Sequence, residues 1–183
     1  VEMKKELVEK KMIATTRMFG SPVDNITAIK EAVATYTSRA AEKLRRQYSA
    51  AKVVSVFIVR KGQNHLLDWR DGNIGTHTTL PVATSITQEL IKPALELVDH
   101  LYEAGNTYKK AGVMLSGLVP DASVQGSLFN PESKNIQRRL MDMMDNINFS
   151  QRDDIHKFAS SGTTRNWKMR QELRSARYTT RWN

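Results

Sequence analysis

"KVVSVFIVRK", residues 52–61, is the stretch that decides the fold of this chain. Its valines and isoleucine are β-branched, and such side chains pack well on a pleated sheet. The run of apolar residues is nearly continuous, which is typical of a strand that is buried on both faces. The segment therefore predicts a central strand, with the other elements arranged around it.

Three further segments have the composition of strands. "MIATTRMF" at 12–19 alternates at period two, and the turn signal "GSP" at 20–22 closes it. "IGTHTTLPVA" at 74–83 is rich in threonine, and its Pro81 indicates an edge or a strand end because proline cannot donate to the ladder. "YKKAGVMLSGLV" at 108–119 supplies the fourth strand.

Two segments carry apolar residues at every third or fourth position, which predicts two amphipathic helices. The first begins at Asn25 and runs to about Tyr48. The second begins at Ser85 and Gln88, which have the spacing of a capping box. Pro93 is expected to kink this helix or to reset its start.

The resulting element order is β-α-β-β-α-β, which predicts an α+β fold. Its four-stranded antiparallel sheet carries both helices on one face, so the other face is left bare for a partner. We divide the chain into a linker at 1–11, this domain at 12–119, a flexible linker at 120–134, and a small, mostly helical extension at 135–183.

The extension has two recognisable features. A short amphipathic helix is predicted from the spacing of Ile136, Leu140, Met143, Met144 and Ile147. Its methionines have the helical spacing of core residues, which favours packing over an adaptable partner groove.

The tail that follows is basic and aromatic. Trp167, Tyr178 and Trp182 are expected to pack on the Leu140/Met144 face, because a short appendage has few other large hydrophobes. The alternative is that they stack on a single nucleic-acid strand, beside Arg165, Arg170, Arg177 and Arg181.

Charge is the strongest compositional signal. The 183 residues carry 28 Lys and Arg against 19 Asp and Glu, a net charge of +9, which suggests a polyanion such as nucleic acid as the partner. The chain has no cysteine, so disulfides and thiolate metal sites are excluded. Its longest apolar run, at 53–59, is too short to span a membrane, and we expect a soluble, cytoplasmic protein.

No catalytic motif stands out. A glycine-rich phosphate loop, a zinc-binding spacing of histidines and a G-x-S-x-G turn are all missing from the sequence. The chain also begins at Val1 in a charged stretch, so we expect it to be a piece of a longer protein. No enzymatic activity is predicted for it alone.

Basic residues lie beside the predicted strands and are the candidate phosphate ligands. If the strand ends are adjacent in space, these side chains form a stripe that neutralises backbone phosphates without reading bases. They are Lys10, Lys11, Arg17, Lys52, Arg60, Lys61, Lys109 and Lys110.

Four stretches resemble the C-terminal part of UmuC-like proteins, the DNA polymerase V branch of the bacterial Y-family translesion polymerases. They are "SRAAEKLR" at 38–45, "YKKAGVML" at 108–115, "QGSLF" at 125–129 and "NWKMRQELRSARYTTRW" at 166–182. The resemblance covers nearly the whole chain.

The resemblance implies that residues 12–119 are the little finger domain, whose bare sheet face lies in the major groove of primer–template DNA. The family's catalytic carboxylates and Mg²⁺ belong to the palm domain, which these residues lack, so no cofactor is expected here. The parent protein would be a nucleotidyltransferase. Processed UmuD and the RecA filament are further partners that the resemblance implies, with 135–183 as a candidate surface.

The linker segment "QGSLF" resembles the pentapeptide by which bacterial polymerases bind the β sliding clamp. Leu128 and Phe129 would enter an apolar pocket on the clamp, while Gln125 and Ser127 complete the motif. An extended segment suits such recognition because its side chains reach preformed subsites.

Two alternatives have a different partner. A free-standing RNA-binding module shares the element order, but it needs exposed aromatics on two central strands. Phe57 and Tyr108 are the aromatics that the two strands supply, which argues against base stacking. A pure protein-interaction fragment is the second alternative, and it is partly compatible with the polymerase assignment.

Overall fold

The computed structural model describes residues 11–62, 73–124, 131–151 and 158–169. Two 3₁₀ turns, at Asp121–Ser123 and Ala159–Ser161, accompany the regular elements. In chain order these are β1 (Ile13–Val23), α1 (Ile26–Arg46), β2 (Ser49–Arg60), β3 (Asn73–Thr84), α2 (Thr87–Leu101), β4 (Tyr108–Pro120) and α3 (Pro131–Gln151).

The four strands form one antiparallel sheet in the order β1-β4-β2-β3. The predicted fold is therefore confirmed, with β2 and β4 in the centre. β3 is an edge strand, where proline is tolerated because the outer side has no partner strand to which an N–H would donate.

The core lies between one face of the sheet and the two helices. From β2, Val54, Val56 and Ile58 are fully or almost fully buried, and they belong to one cluster with Val33 of α1 and Leu90 of α2. Burial of each such side chain contributes about 1.5–3 kcal/mol. The opposite face of the sheet carries no helix from the described residues.

Local sequence sets both ends of α1. The Oδ1 atom of Asn25 accepts a hydrogen bond of 2.8 Å from the Thr27 N–H, which satisfies one of the free donors at the start of the helix. Lys43, Arg45 and Arg46 lie in the last turn, where cations interact favourably with the helix dipole.

The predicted capping box of α2 is wrong. The Oγ1 atom of Thr84 accepts a hydrogen bond of 3.1 Å from the Ile86 N–H and donates one to Glu89. Ser85 instead donates a hydrogen bond to Asp121. Pro93 lies inside α2, so it does not reset the start of the helix.

The predicted turn at 20–22 is also wrong, because β1 continues to Val23 with a shift of register after Met18. This part of β1 contacts the C-terminal extension. The Gly20 N–H donates a 3.0 Å hydrogen bond to the Trp167 carbonyl, and a Cβ atom on Gly20 would lie 2.5 Å from the Lys168 carbonyl oxygen. Glycine is needed here for close backbone approach.

Trp167 does not pack on the Leu140/Met144 face. Its side chain is only 5% exposed and belongs to the same core cluster as the sheet, while Leu140 is 48% exposed. Its indole N–H donates to a carboxylate oxygen of Glu31 at 3.3 Å. The extension therefore contributes a large side chain to the core of the sheet domain.

α3 packs through Met141 and through only one residue of the predicted stripe, Met144. Met141 is buried and Met144 is partly buried, as the core reading of the methionines expects, but Met143 is exposed. Asp145 joins α3 to Arg45 of α1. The rest of the predicted stripe is also exposed, at Ile136, Leu140 and Ile147.

Candidate nucleic-acid interface

The side of the sheet that faces away from the helices is the candidate interface, and we call it the open face. Directly paired residues of neighbouring strands lie on the same side, so the register defines it in rows. The rows are Met18–Lys110–Val59–Asn73, Thr16–Gly112–Phe57–Gly75, Ala14–Met114–Ser55–His77 and Ser116–Val53–Thr79.

The four strands contain no aspartate and no glutamate. Every side chain in them with a fixed charge is positive. This arrangement gives the sheet a positive potential without nearby carboxylates to offset it, which attracts phosphate. The signal is present in the sequence, but it becomes visible only once the strand boundaries are known.

The predicted cations on or beside the open face form two groups. Lys110 pairs with Val59, and Lys61 follows β2, where its N–H donates to Thr107 at 2.7 Å. With the exposed Lys109, these lysines form the Lys61 end of the sheet.

The second group lies at the other end of the sheet. Lys52 is exposed opposite Gly117, and Lys11 lines a surface groove with Leu118. Lys52 and Lys61 are nine residues apart in one extended segment, which separates the two groups by about 30 Å. The basic residues therefore do not form one continuous stripe.

Two other predicted cations lie on the helix side. Arg17 pairs with Ala111, whose side chain is in the core, and Arg60 pairs with the buried Tyr108. Arg60 also makes a 2.6 Å ion pair with Glu103. Neither guanidinium projects from the open face.

The remaining predicted site residues lie outside the described residues. They are Lys10, the clamp motif residues Gln125, Ser127, Leu128 and Phe129, and the tail residues Arg170, Arg177, Tyr178, Arg181 and Trp182.

The centre of the open face is uncharged and flat. A Cβ atom on Gly112 would lie 2.3 Å from Cζ of Phe57, so the Phe57 ring occupies the space above this glycine. On the described part of the open face Phe57 is the one aromatic ring apart from the His77 imidazole. A platform of several aromatic rings, which base stacking by an RNA-binding sheet requires, is therefore not found there.

Neither a metal cluster nor a membrane helix is found in the part of the chain that the structure describes. No three His, Cys, Asp or Glu side chains are grouped so that they could hold an ion. None of the helices combines the length and the apolar character that crossing a bilayer requires.

Two protein-family models match the chain. Residues 10–128 match the model of the impB/mucB/samB family C-terminal domain. The chain belongs to this family. Residues 138–183 match a second model, a domain of unknown function named DUF4113.

Individual relatives extend over the whole chain. UmuC of Salmonella typhimurium is 30% identical over 100% of this chain and 43% of its own length. SamB of the same organism is 33% identical over 94% of this chain and 40% of its own. The chain thus spans about two fifths of the length of these curated relatives, and the resemblance to UmuC-like proteins is confirmed.

Among solved structures, a distant match is the little finger domain of PolIV in its complex with the beta-clamp processivity factor. It is 16% identical with a TM-score of 0.40, over 64% of this chain and 97% of that domain.

Proposed function

We propose that this chain is the DNA-holding and clamp-tethering part of an error-prone Y-family polymerase that acts in SOS translesion synthesis and DNA repair in the bacterial cytoplasm. The catalytic carboxylates and Mg²⁺ would belong to the palm domain of the parent nucleotidyltransferase. On its own, the chain would bind primer–template DNA without extending it.

The open face is the observation that carries this proposal. Its strands have no carboxylate, and lysines lie at one end of it and near the other end of the sheet. Lysine and arginine contacts to phosphates give affinity that is independent of sequence. A polymerase domain that slides along damaged template needs binding of this kind.

The spacing of the two lysine groups fits a duplex. A separation of about 30 Å corresponds to about 9 base pairs at 3.4 Å per pair. The row of Thr16, Gly112, Phe57 and Gly75 between the groups is small or flat apart from the phenyl ring. Such a surface can approach a groove closely while lysines near both ends of the sheet contact phosphates.

A charge-matched pair of variants tests the open face. Lys61→Ala/Lys110→Ala removes two lysines at one end of it, and Lys43→Ala/Lys92→Ala removes two exposed lysines on α1 and α2. Fluorescence anisotropy with labelled primer–template, measured over a range of salt, gives the affinity and the salt slope of each.

The open-face variant is expected to reduce the magnitude of the log–log salt slope by about 0.9 for each phosphate that the protein no longer neutralises. The helix variant should leave the slope near that of the unchanged chain. Equal reductions of affinity in the two variants would mean that only net charge matters and that the open face is not the binding surface.

Clamp tethering is a separate part of the proposal, and it rests on the resemblance of "QGSLF" to the clamp-binding pentapeptide. Capture of purified β clamp by the chain should be abolished in the Leu128→Ala/Phe129→Ala variant. DNA binding should be unchanged in that variant. Retention of the clamp would show that this segment is not the tether.

Binding to processed UmuD and to the RecA filament remains a prediction from the resemblance. We would test it on α3, whose exposed Leu140 and Met143 give an apolar surface next to the sheet domain.

A further inference from the structure

A basic cleft lies at the outer edge of β1, on the helix side of the sheet. Its floor includes Tyr36 of α1 and Trp167 of the extension, and Met18 and Met169 line it as partly exposed apolar side chains. Four cations complete the lining, and they come from three parts of the chain: Arg17, Arg39, Arg165 and Lys168.

No carboxylate lines this cleft among the described residues. Arg17 makes no ion pair within the described part of the chain, and Lys168 is exposed. The Glu31 carboxylate accepts the Trp167 indole N–H and is not part of the lining. Among the described lining residues, an anion that entered the cleft would therefore meet cations and no carboxylate.

The cleft is built by the docking of the extension on β1. The Gly20 N–H donates a hydrogen bond to the Trp167 carbonyl, and the Lys168 N–H donates one to the Arg165 carbonyl at 3.0 Å. The Arg165 Nε–H donates to the Ser161 carbonyl at 3.2 Å. These contacts hold Arg165 and Lys168 in one cleft with Arg17, which makes the cationic arrangement a property of the folded chain.

The pKa of Tyr36 reflects the same arrangement of cations. Burial raises its pKa to about 12, and the charges of Arg39 and then Arg17 oppose that rise. Both guanidiniums are therefore close enough to one phenol to affect it, although they lie on different elements.

We propose that this cleft is a second phosphate site, separate from the open face, that binds the phosphodiester backbone of nucleic acid. Arginine is suited to this role because its planar guanidinium can donate two hydrogen bonds to one phosphate group. Tyr36 and Trp167 are too deeply buried to stack on bases, so recognition involves the backbone alone and has no sequence preference.

The position of the cleft suggests where the strand comes from. Arg17 and Met18 are consecutive residues that point to opposite sides of β1, and Met18 also belongs to the open-face row that contains Lys110. A strand leaving that end of the open face would cross Met18 and enter the cleft. This route rests on the proposed function, whereas the phosphate site itself does not.

Two matched variants of the full chain test the site. Arg17→Ala/Lys168→Ala removes one arginine and one lysine from the cleft. Lys92→Ala/Arg139→Ala removes the same charges from exposed positions on α2 and α3. Each is titrated with a labelled single strand about 16 nucleotides long and with a duplex, and thermal unfolding confirms that each is folded.

The cleft variant is expected to weaken binding of at least one of the two probes, with a salt slope smaller by about 0.7 per phosphate for a single strand or about 0.9 for a duplex. The probe that is affected identifies the source of the phosphates. Weaker binding in Lys61→Ala/Lys110→Ala but not in the cleft variant would support the open face as the binding surface. It would overturn the proposal that the cleft binds phosphate.

A competition experiment tests whether the cleft binds an acidic protein instead of nucleic acid. Polyglutamate that binds the unchanged chain more tightly than either nucleic-acid probe at matched charge concentration, and that loses this binding in the cleft variant, would identify an acidic protein as the ligand and overturn the proposal. Binding by the cleft variant equal to that of the α2/α3 control, for both probes, would overturn it as well.

Discussion

The Trp167 ring meets the Tyr36 ring edge to face, with centroids 5.8 Å apart and an interplanar angle of 84°. Both side chains are buried, and both belong to the cluster beneath the sheet. Edge-to-face pairs contribute about 0.5–1.5 kcal/mol beyond their buried area. Trp167 comes from the extension, so the two segments that match separate family models share one core.

Removal of this indole should destabilise the sheet domain. We expect Trp167→Ala to lower the free energy of unfolding by about 3–5 kcal/mol, because it leaves a large cavity against Tyr36 and β1. Urea denaturation followed by circular dichroism measures the change. Met143→Ala, a change on the exposed side of α3, is the control and should stay within about 0.5 kcal/mol.

Truncation after Asn130 should be at least as destabilising as Trp167→Ala. It removes the indole together with Asp145, the partner of Arg45. The division of the chain into a domain at 12–119 and an extension at 135–183 remains a prediction, and this truncation tests it. A truncated chain with an unchanged thermal transition would show that the extension is only an appendage.

Gly20→Ala is a more local test of the same docking. The added Cβ atom would meet backbone atoms of Lys168 and Met169 at 2.5–3.2 Å, and backbone moves less readily than a flexible side chain. We expect destabilisation by about 1–3 kcal/mol and increased exposure of Trp167, measured by its fluorescence quenching by acrylamide. Gly105→Ala is a poor control because that residue has a positive φ, so Ser21→Ala on the exposed strand serves instead.

The sequence was sufficient for the sheet domain because its signals are local. The β-branched run of β2 and the helical period of α1 each come from contiguous residues. The predictions fail where a distant segment intervenes. Nothing near Gly20 shows that residues 167–169 will lie on β1, so the local sequence predicts a turn where a glycine is needed for close approach.

The same distinction between local and long-range information applies to the candidate site. The excess of lysine and arginine was visible in the composition, but the side of the sheet on which each one lies depends on register. Arg17 and Arg60 face the helices, whereas Lys110 belongs to the open face. A shift of one residue moves a side chain to the other face, and the register cannot be obtained from charge alone.

Arg45 stabilises the fold. The sequence does not reveal this role, because Arg45 is one of several basic residues on α1. Its Nε and Nη2 atoms donate to Asp145 at 2.6 and 2.8 Å, and Nη1 donates to the Ser85 carbonyl and the Thr87 hydroxyl at 2.8 Å each. The side chain is 8% exposed. It therefore connects α1 to α3 and to the start of α2.

Arg45→Ala should lower the free energy of unfolding by about 3 kcal/mol, because it leaves the carboxylate of Asp145 without its partner in a partly buried position. Lys43→Ala, an exposed change on the same helix, should cost less than about 0.5 kcal/mol. Similar unfolding midpoints in the two variants would show that the four hydrogen bonds contribute little.

Tyr36 should make the stability of the protein fall at high pH. Burial raises its folded-state pKa to about 12, against the opposing charges of Arg39 and Arg17, while an unfolded tyrosine titrates near 10. Between these values the unfolded chain binds fewer protons than the folded one, so the contribution present below pH ~10 is lost as pH rises toward about 12, with a slope of at most about 1.4 kcal/mol per pH unit. Tyr36→Phe keeps the ring and removes this titration, whereas lysine deprotonation affects both proteins alike. The difference in unfolding free energy between them, measured by urea denaturation at several pH values, should change in this window, and a constant difference would contradict the raised pKa.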